Sequence, residues 1–189
     1  RCWMTHRALL VVDYSYDFIA DDGLLTCGKP GQNIEDFIVS RINDFNYYQD
    51  HIFFLMDLHY LHDIHHPESK LFPPHNIVDT SGRELYGKVG KLYETIKAQP
   101  NVHFIDKTRY DSFFGTPLDS LLRERSINQV EIVGVCTDIC VLHTAISAYN
   151  LGYKISVPAE GVASFNQKGH EWALAHFKNS LGAEVEQHV

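Results

Sequence analysis

The chain has 189 residues, of which 44% are hydrophobic and 21% charged, so we expect one well-buried domain over residues 1–189. Its formal net charge of -8 argues against nucleic acid or an anionic membrane as a partner. No apolar run reaches the roughly 18 residues of a membrane span and no signal-peptide core is found, so we expect a cytoplasmic protein. Residues 1–3 precede Met4, and we set them aside as non-native.

Strand and helix patterns alternate along the chain. Continuous apolar runs, such as the one that begins at Ala8, predict strands that are covered on both faces. We predict strands at residues 8–13, 52–57, 102–106, 130–135, 153–157 and 183–187. Helical spacing of apolar residues predicts helices at residues 33–48, 88–98, 116–125, 139–149 and 167–181. Thr116 and Pro117 fit an N-cap followed by the first helical residue, and Gly152 fits the residue that follows a helix. The alternation predicts an α/β fold, a six-stranded parallel sheet with helices on both faces.

The strand ends carry the polar side chains. In an open parallel sheet, the carboxyl ends of the strands meet at one edge, where ligands bind. A thiol, two carboxylates, an ammonium and an imidazole should therefore line one crevice. These groups belong to Asp13, Asp57, His59, Lys107 and the segment from Cys136 to Cys140.

Two of the four cysteines flank the turn after the fourth predicted strand. Cys140 should lie in the first turn of a helix, where the helix dipole lowers the pKa of a thiol. Four cysteines in 189 residues do not indicate a disulfide scaffold, and in a reducing compartment they are buried, ligating or catalytic. Taken alone, Cys136 and Cys140 fit a pair of small core residues equally well.

The segment at residues 58–90 is rich in His, Pro and Gly and is too long for a simple connection, which predicts a binding loop. Asp57 and His59 point the same way in an extended segment, and His75 can return from the loop to join them. Two imidazoles and one carboxylate suit zinc, and also iron or manganese. Further donors lie nearby: His62, Asp63, His65, His66 and Glu68. For each of His62, His65 and His66, a solvated polar loop is the better interpretation.

Five segments together resemble the nicotinamidases of the isochorismatase-like cysteine hydrolase superfamily. They are VVDYSYDF at 11–18, DLH at 57–59, HPESKLFPPH at 66–75, DKTRYDSFFGT at 106–116 and GVCTDICVLHTAISAYNLGY at 134–153. The resemblance covers most of the chain in the family's order. It implies a Rossmann-like strand order and hydrolysis of nicotinamide to nicotinate and ammonia through a Cys thioester, in NAD salvage. Pyrazinamide, a similar ring amide, should also be accepted.

The resemblance also implies a catalytic triad of Asp13, Lys107 and Cys140. A free thiol is only a few per cent thiolate at neutral pH, so it needs such a base and cation beside it. The family places a cis peptide in the turn before the nucleophile, which would aim the backbone N–H groups of Cys136 and Cys140 at the oxyanion. Cys136 should then act through its backbone, with its thiol a passive core group.

For the metal, the family adds a fourth ligand that varies between relatives. The closest pattern favours Glu68, with His65 or His66 as rivals, beside Asp57, His59 and His75. In the family the metal binds the pyridine nitrogen and orients the substrate.

Apolar walls for a flat ring are expected from Phe18, Phe72 and Tyr110. Where the family commonly has Ser-Ala-Phe, this chain has residues 111–113 as Asp-Ser-Phe, and the extra charge near the mouth leaves the substrate range, rather than the chemistry, open. Relatives are often oligomeric, which by analogy allows a homo-oligomer.

Three other functions stay open at this point. An amidase of the superfamily that acts on a carbamoyl or ureido substrate would keep the triad without the metal. A non-catalytic metal or small-molecule binding protein would keep Asp57, His59 and His75 and release no ammonia. A metallohydrolase that uses metal-bound water would not need Cys140.

Overall fold

A six-stranded, all-parallel sheet lies at the centre of the structure, a computed structural model that describes residues 6–186. The strands are β1 Arg7–Val12, β2 His51–Asp57, β3 Val102–Lys107, β4 Gln129–Val135, β5 Lys154–Ser156 and β6 Val162–Ala163. Their order is β3-β2-β1-β4-β5, and β6 pairs with the end of β4. The predicted six-stranded parallel sheet with a Rossmann-like order is confirmed. Residues 1–3, set aside above, and Cys2 among them, lie outside the described residues.

Seven helices are described around this sheet. They are α1 Tyr16–Ile19, α2 Gly28–Asn33, α3 Glu35–Tyr47, α4 Gly87–Ile96, α5 Leu118–Glu124, α6 Cys140–Asn150 and α7 Gln167–Leu181. The five predicted helices are present, with ends shifted by a few residues. The two that were not predicted, α1 and α2, are too short for a helical period to show. None of the helices in residues 6–186 is both long and apolar enough to span a membrane.

The residues of β1 alternate between two hydrophobic cores, one on each face of the sheet. Ala8, Leu10 and Val12 pack in one core with residues of α5, α6 and α7. Leu9 and Val11 pack in the other with residues of α3 and α4. This burial on both faces explains why β1 is a continuous apolar run rather than an alternating one.

Two predictions about element boundaries are wrong. The sixth strand is β6 rather than residues 183–187, where Glu184 makes an isolated bridge with Ser156 and Gln187 is not described. Helix α7 continues to Leu181, so the chain turns at residue 182 and only then reaches the edge of β5. The second wrong boundary is the start of α5. Its N-cap is Pro117 rather than Thr116, and the Thr116 hydroxyl accepts a hydrogen bond from Leu118 N. Gly152, with φ of 86°, has the left-handed conformation predicted for the residue after a helix.

The point where the strand order reverses lies between β1 and β4, which pair with Val12 opposite Gly134. A Cβ atom at Gly134 would lie 2.0 Å from the Val12 carbonyl oxygen, so only glycine fits this close approach. The chain leaves β1 at Asp13 and leaves β4 at the turn that leads to α6. Both exits open at the sheet edge where open α/β folds bind ligands.

Candidate active site

The Lys107 side chain lies at the centre of the site. It is the last residue of β3 and is fully buried. Its Nζ atom lies 2.8 Å from Asp13 Oδ2, 2.5 Å from Asp57 Oδ1 and 3.5 Å from Cys140 Sγ. Burying an ammonium requires such counterions, because an unpaired buried charge is very costly. The structure therefore brings the three predicted triad residues into one contact group.

The two carboxylates that hold Lys107 differ in proton affinity. Burial, together with the nearby charge of Asp57, raises the pKa of Asp13 to about 6 despite the opposing effect of Lys107. Burial acts in the same direction on Asp57, but Lys107 and His59 together outweigh it and lower the pKa of Asp57 to about 2. The Asp13 Oδ1 atom also accepts a hydrogen bond from Asp57 N at 2.8 Å. Asp13 is therefore the carboxyl group better suited to exchange a proton near neutral pH.

Cys140 is the first residue of α6 and is buried, with 5% of its surface exposed. Burial raises the pKa of its thiol well above the ordinary value, and Lys107 only partly opposes this. The expectation of a lowered thiol pKa at Cys140 is therefore wrong, because burial is the largest influence on this pKa and raises it. A hydrogen bond to Asp13 also raises the pKa. The resting group is a thiol whose proton faces a base.

The turn between β4 and α6 contains a cis peptide bond between Val135 and Cys136. The Cys136 carbonyl accepts hydrogen bonds from the N–H groups of Ile139 and Val141. The N–H of Cys140 is among the first of α6, which have no partner inside a helix. Within residues 6–186, no backbone carbonyl accepts from the N–H of Cys136 or of Cys140. Both donors are free to meet an anion.

A second cluster adjoins the first through Asp57. Asp57, His59, Glu68 and His75 are all buried, and each has one ligating atom within 4.8 Å of the others. The Nε2 atom of His59 lies 3.6 Å from Asp57 Oδ2 and 3.7 Å from Glu68 Oε2. The Nε2 atom of His75 lies 3.5 Å from Glu68 Oε1. These are the three predicted ligands and the favoured fourth one.

Three atoms of this cluster are buried without a hydrogen-bond partner among the described residues. They are His59 Nε2, Glu68 Oε2 and His75 Nε2. The Nδ1 atom of His75 donates to the Pro73 carbonyl at 2.7 Å, which leaves the Nε2 lone pair free. Buried polar atoms without partners are costly, and two carboxylates with two imidazoles match the donor set of a divalent cation. The residues therefore fit a metal ion.

The rival ligands are placed differently. The Nε2 atom of His66 donates to the Thr108 carbonyl at 2.6 Å, and its Nδ1 atom accepts from Glu68 N at 3.1 Å. Both ring nitrogens of His66 are thus occupied, and the ring orients Glu68. His65 and His62 are exposed. Another possible cation position, between Asp13, Asp57 and Cys140, is filled by the Lys107 ammonium.

A narrow cavity lies above Cys140 and reaches the second cluster through Asp57 and Glu68. The three predicted aromatic residues line it: Phe18, Phe72 and Tyr110. Three further apolar residues of its wall were not predicted from the sequence: Leu25, Ile139 and Phe165. Leu25 and Phe165 lie in irregular segments outside the five motifs, and no local pattern in the sequence indicates them.

Asp111 does not place a charge at the mouth of this cavity. One carboxylate oxygen accepts from Ser147 Oγ at 2.5 Å and the other from Phe113 N at 2.8 Å. Asp111 therefore ties the segment after β3 to α6. The charge that left the substrate range open is therefore paired within the fold.

Comparison with known proteins gives one consistent family. The sequence profile of the isochorismatase domain matches residues 7–188. The crystal structure of a nicotinamidase from Staphylococcus aureus is 88% identical in sequence and has a TM-score of 0.85, covering 97% of this chain and 100% of that one.

Two further solved structures are similar. A nicotinamidase/pyrazinamidase from Bacillus subtilis is 52% identical with a TM-score of 0.94, covering 96% of this chain and 99% of that one. A pyrazinamidase from Pyrococcus horikoshii, solved in complex with zinc, is 27% identical with a TM-score of 0.85. The match covers 97% of this chain and 100% of the Pyrococcus chain.

Proposed function

The chain belongs to the isochorismatase family and is an amidohydrolase, and from this premise we propose that it is a nicotinamidase. It would hydrolyse nicotinamide to nicotinate and ammonia, and accept pyrazinamide. The observation that carries the proposal is a buried thiol beside Lys107 and Asp13, in a cavity that adjoins four buried residues with metal-type donor atoms. Ammonia release from nicotinamide by the purified protein tests it. No release from nicotinamide or pyrazinamide, with metal supplied, would refute it.

The first half of the reaction acylates Cys140. Asp13 takes the thiol proton, and the sulfur adds to the carboxamide carbon while Lys107 stabilises the developing thiolate. The N–H groups of Cys136 and Cys140 hold the oxyanion. As the oxyanion collapses, the C–N bond breaks and Asp13 returns the proton to the leaving nitrogen, so ammonia departs and a thioester remains.

The second half releases the acid. Asp13 takes a proton from water, the water oxygen adds to the thioester carbon, and the same two N–H groups hold the oxyanion. Collapse breaks the C–S bond, Cys140 recovers its proton from Asp13, and the product leaves as nicotinic acid, which loses its carboxyl proton to solvent to give nicotinate. A pKa of about 6 suits Asp13 for these roles, because it accepts a proton from the thiol, donates one to the leaving nitrogen and then accepts one from water.

The proposed metal ligands are Asp57, His59, Glu68 and His75, and zinc is the proposed ion, with iron or manganese as alternatives. The ion would supply a fixed charge that binds the pyridine nitrogen and orients the ring. Asp57 belongs to both clusters, because Oδ1 contacts Lys107 and Oδ2 faces His59. Ring orientation and the position of the ammonium are therefore linked through one side chain. A role in NAD salvage and a cytoplasmic location remain predictions.

Replacing Cys136 with alanine should cost far less activity than replacing Cys140. The proposed role of Cys136 uses its peptide N–H, which alanine retains. We expect kcat/KM for nicotinamide to fall by roughly tenfold or less, since only packing in the turn changes. Steady-state ammonia assays on both variants measure the difference. An equal loss in the two variants would show that the Cys136 thiol takes part directly.

Asn76 connects the elements that carry the proposed metal ligands. It is fully buried, with φ of 47°. Its N–H donates to Asp17 Oδ2 at 2.8 Å, and its side-chain oxygen accepts from Ser15 Oγ at 2.8 Å. Its carbonyl accepts from His59 N at 3.1 Å, and its Nδ2 atom approaches the Asp57 carbonyl at 3.4 Å. The side chain thus fixes the loop that follows His75 against the end of β2.

Substituting Asn76→Gly should weaken metal binding by roughly tenfold or more, because residues that orient metal ligands typically contribute this much. Glycine tolerates the positive φ, so the substitution removes the side chain without backbone strain. Competition with a chelator measures the affinity without reference to activity. Gln49→Gly is a matched control, since Gln49 is exposed and has φ of 58°. Wild-type metal affinity in the Asn76→Gly protein would contradict this positioning role.

A further inference from the structure

Two buried cysteines meet behind the cavity. The Sγ atoms of Cys27 and Cys136 lie 3.3 Å apart, and each residue is 4% exposed. Cys27, Cys136 and Cys140 are all free thiols. The proposed reaction uses the backbone of Cys136 and has no use for Cys27, although 109 positions separate the two in sequence.

We propose that Cys27 and Cys136 form a redox modification site, in which a two-electron thiol oxidant joins them as a disulfide. Hydrogen peroxide, as one such oxidant, converts one thiol to a sulfenic acid with release of water, and the second thiol then displaces the sulfenic hydroxyl as a second water to form the S–S bond. The two sulfurs must approach from 3.3 Å to about 2.05 Å. The form of a cysteine that reacts with an oxidant is its thiolate. The contact with Cys27, together with burial, raises the pKa of Cys136 well above its ordinary value, so little thiolate is present at neutral pH. Crosslinking should therefore quicken with rising pH.

Both ends of this crosslink contact the cavity. Cys136 lines it and contributes one of the two proposed oxyanion donors. Cys27 N donates to the Phe18 carbonyl at 2.7 Å, and Phe18 forms part of the cavity wall. Drawing the two sulfurs together would move the peptide of Cys136 or the segment that supports Phe18. The crosslinked protein should therefore hydrolyse nicotinamide more slowly. This loss of activity rests on the proposed function, whereas formation of the crosslink does not.

Proteolytic cleavage on the amino side of aspartate places each of the four cysteines in a different peptide, so a disulfide can be assigned from the peptides that it joins. Asp138 divides Cys136 from Cys140, so an enzyme that cuts on the amino side of aspartate yields residues 119–137 and 138–189. Cys27 falls in residues 22–35, and Cys2 in residues 1–12. The full-length protein is treated with diamide, which takes two hydrogens from a pair of thiols and is itself reduced to the hydrazine. The digest is then examined by mass spectrometry before and after reduction with dithiothreitol.

We expect residues 22–35 linked to residues 119–137, with the loss of two hydrogens, and an activity at least about tenfold lower that dithiothreitol restores. Cys27→Ala and Cys27→Ser proteins should show neither the link nor the reversible loss; having both guards against one folding poorly. No such link, or a link from 22–35 to 138–189, would overturn the modification site. A complete link with unchanged activity would overturn its connection to the active site. If nicotinamide is not hydrolysed at all, the proposed function fails, while the linked peptides still decide the modification site.

Discussion

Replacing Cys140 with alanine is expected to remove nearly all hydrolysis of nicotinamide, by about 10⁴-fold or more in kcat, because no thioester can form. The Cys140 thiol is the only cysteine thiol among residues 6–186 that contacts Lys107, at 3.5 Å, and it has Asp13 beside it. The paired carboxylates and the ammonium would remain, and they cannot replace the bond that the sulfur makes. Ammonia release at saturating substrate measures the loss.

The control for this result is Cys27→Ala, which removes another buried thiol from the same molecule. Under reducing conditions, it should retain activity within a few-fold of the wild type, because Cys27 touches neither Lys107 nor Asp13 in the described structure. A metal assay on the Cys140→Ala protein should find the ion still bound, since the proposed ligands are untouched. Substantial ammonia release by Cys140→Ala would instead indicate direct attack by water and would refute the covalent route.

Replacing His75 with alanine should remove both the metal and most of the activity. His75 Nε2 is buried without a hydrogen-bond partner, and Glu68 Oε1 lies 3.5 Å away. Without this ligand the site loses one of its four donors and its ability to orient the pyridine ring, so we expect kcat/KM to fall by roughly 100-fold or more. Metal content by atomic spectroscopy and ammonia release are the two measurements.

His65→Ala is the matched control, an exposed histidine of the same loop that was a rival for the fourth ligand. It should keep the metal and the activity. Metal removal should also lower the melting temperature of the wild type, because binding to the folded state alone stabilises it by mass action. If the His75→Ala protein held its metal as tightly as the wild type, the proposed ligand set would be wrong. If it lost the metal but not the activity, the proposed role of the ion would be wrong.

Features with a strong local pattern were predictable from the sequence. The run that ends at Asp13 is apolar throughout because β1 is buried on both faces, and the same holds for the run that ends at Asp57. Because parallel strands end at a common edge, the sequence also placed Lys107 and Cys140 beside these carboxylates. The positions of these side chains follow from the hydrophobic pattern of each strand and from the residue at which the strand ends, and they require no knowledge of the loops.

Features that depend on long-range contacts were not predictable. Strand β6 has two residues and exists because it pairs with Gly134 and Val135. Glu68 was favoured over His66 only by resemblance, and the contact that supports this proposal, from His66 Nε2 to the Thr108 carbonyl 42 positions away, leaves no local pattern in the sequence. The thiol pKa of Cys140 was predicted in the wrong direction because full burial cannot be deduced from a position in the first turn of a helix.

The central claim is that Cys140 carries the acyl group. A single-turnover reaction with nicotinamide, quenched in acid, can be analysed by intact mass and by cleavage before aspartate. We predict a nicotinoyl group on wild-type protein, located to residues 138–189, and no such group on the Cys140→Ala protein. An acyl group on a peptide outside residues 138–189, or ammonia release by Cys140→Ala at the wild-type rate, would contradict the claim.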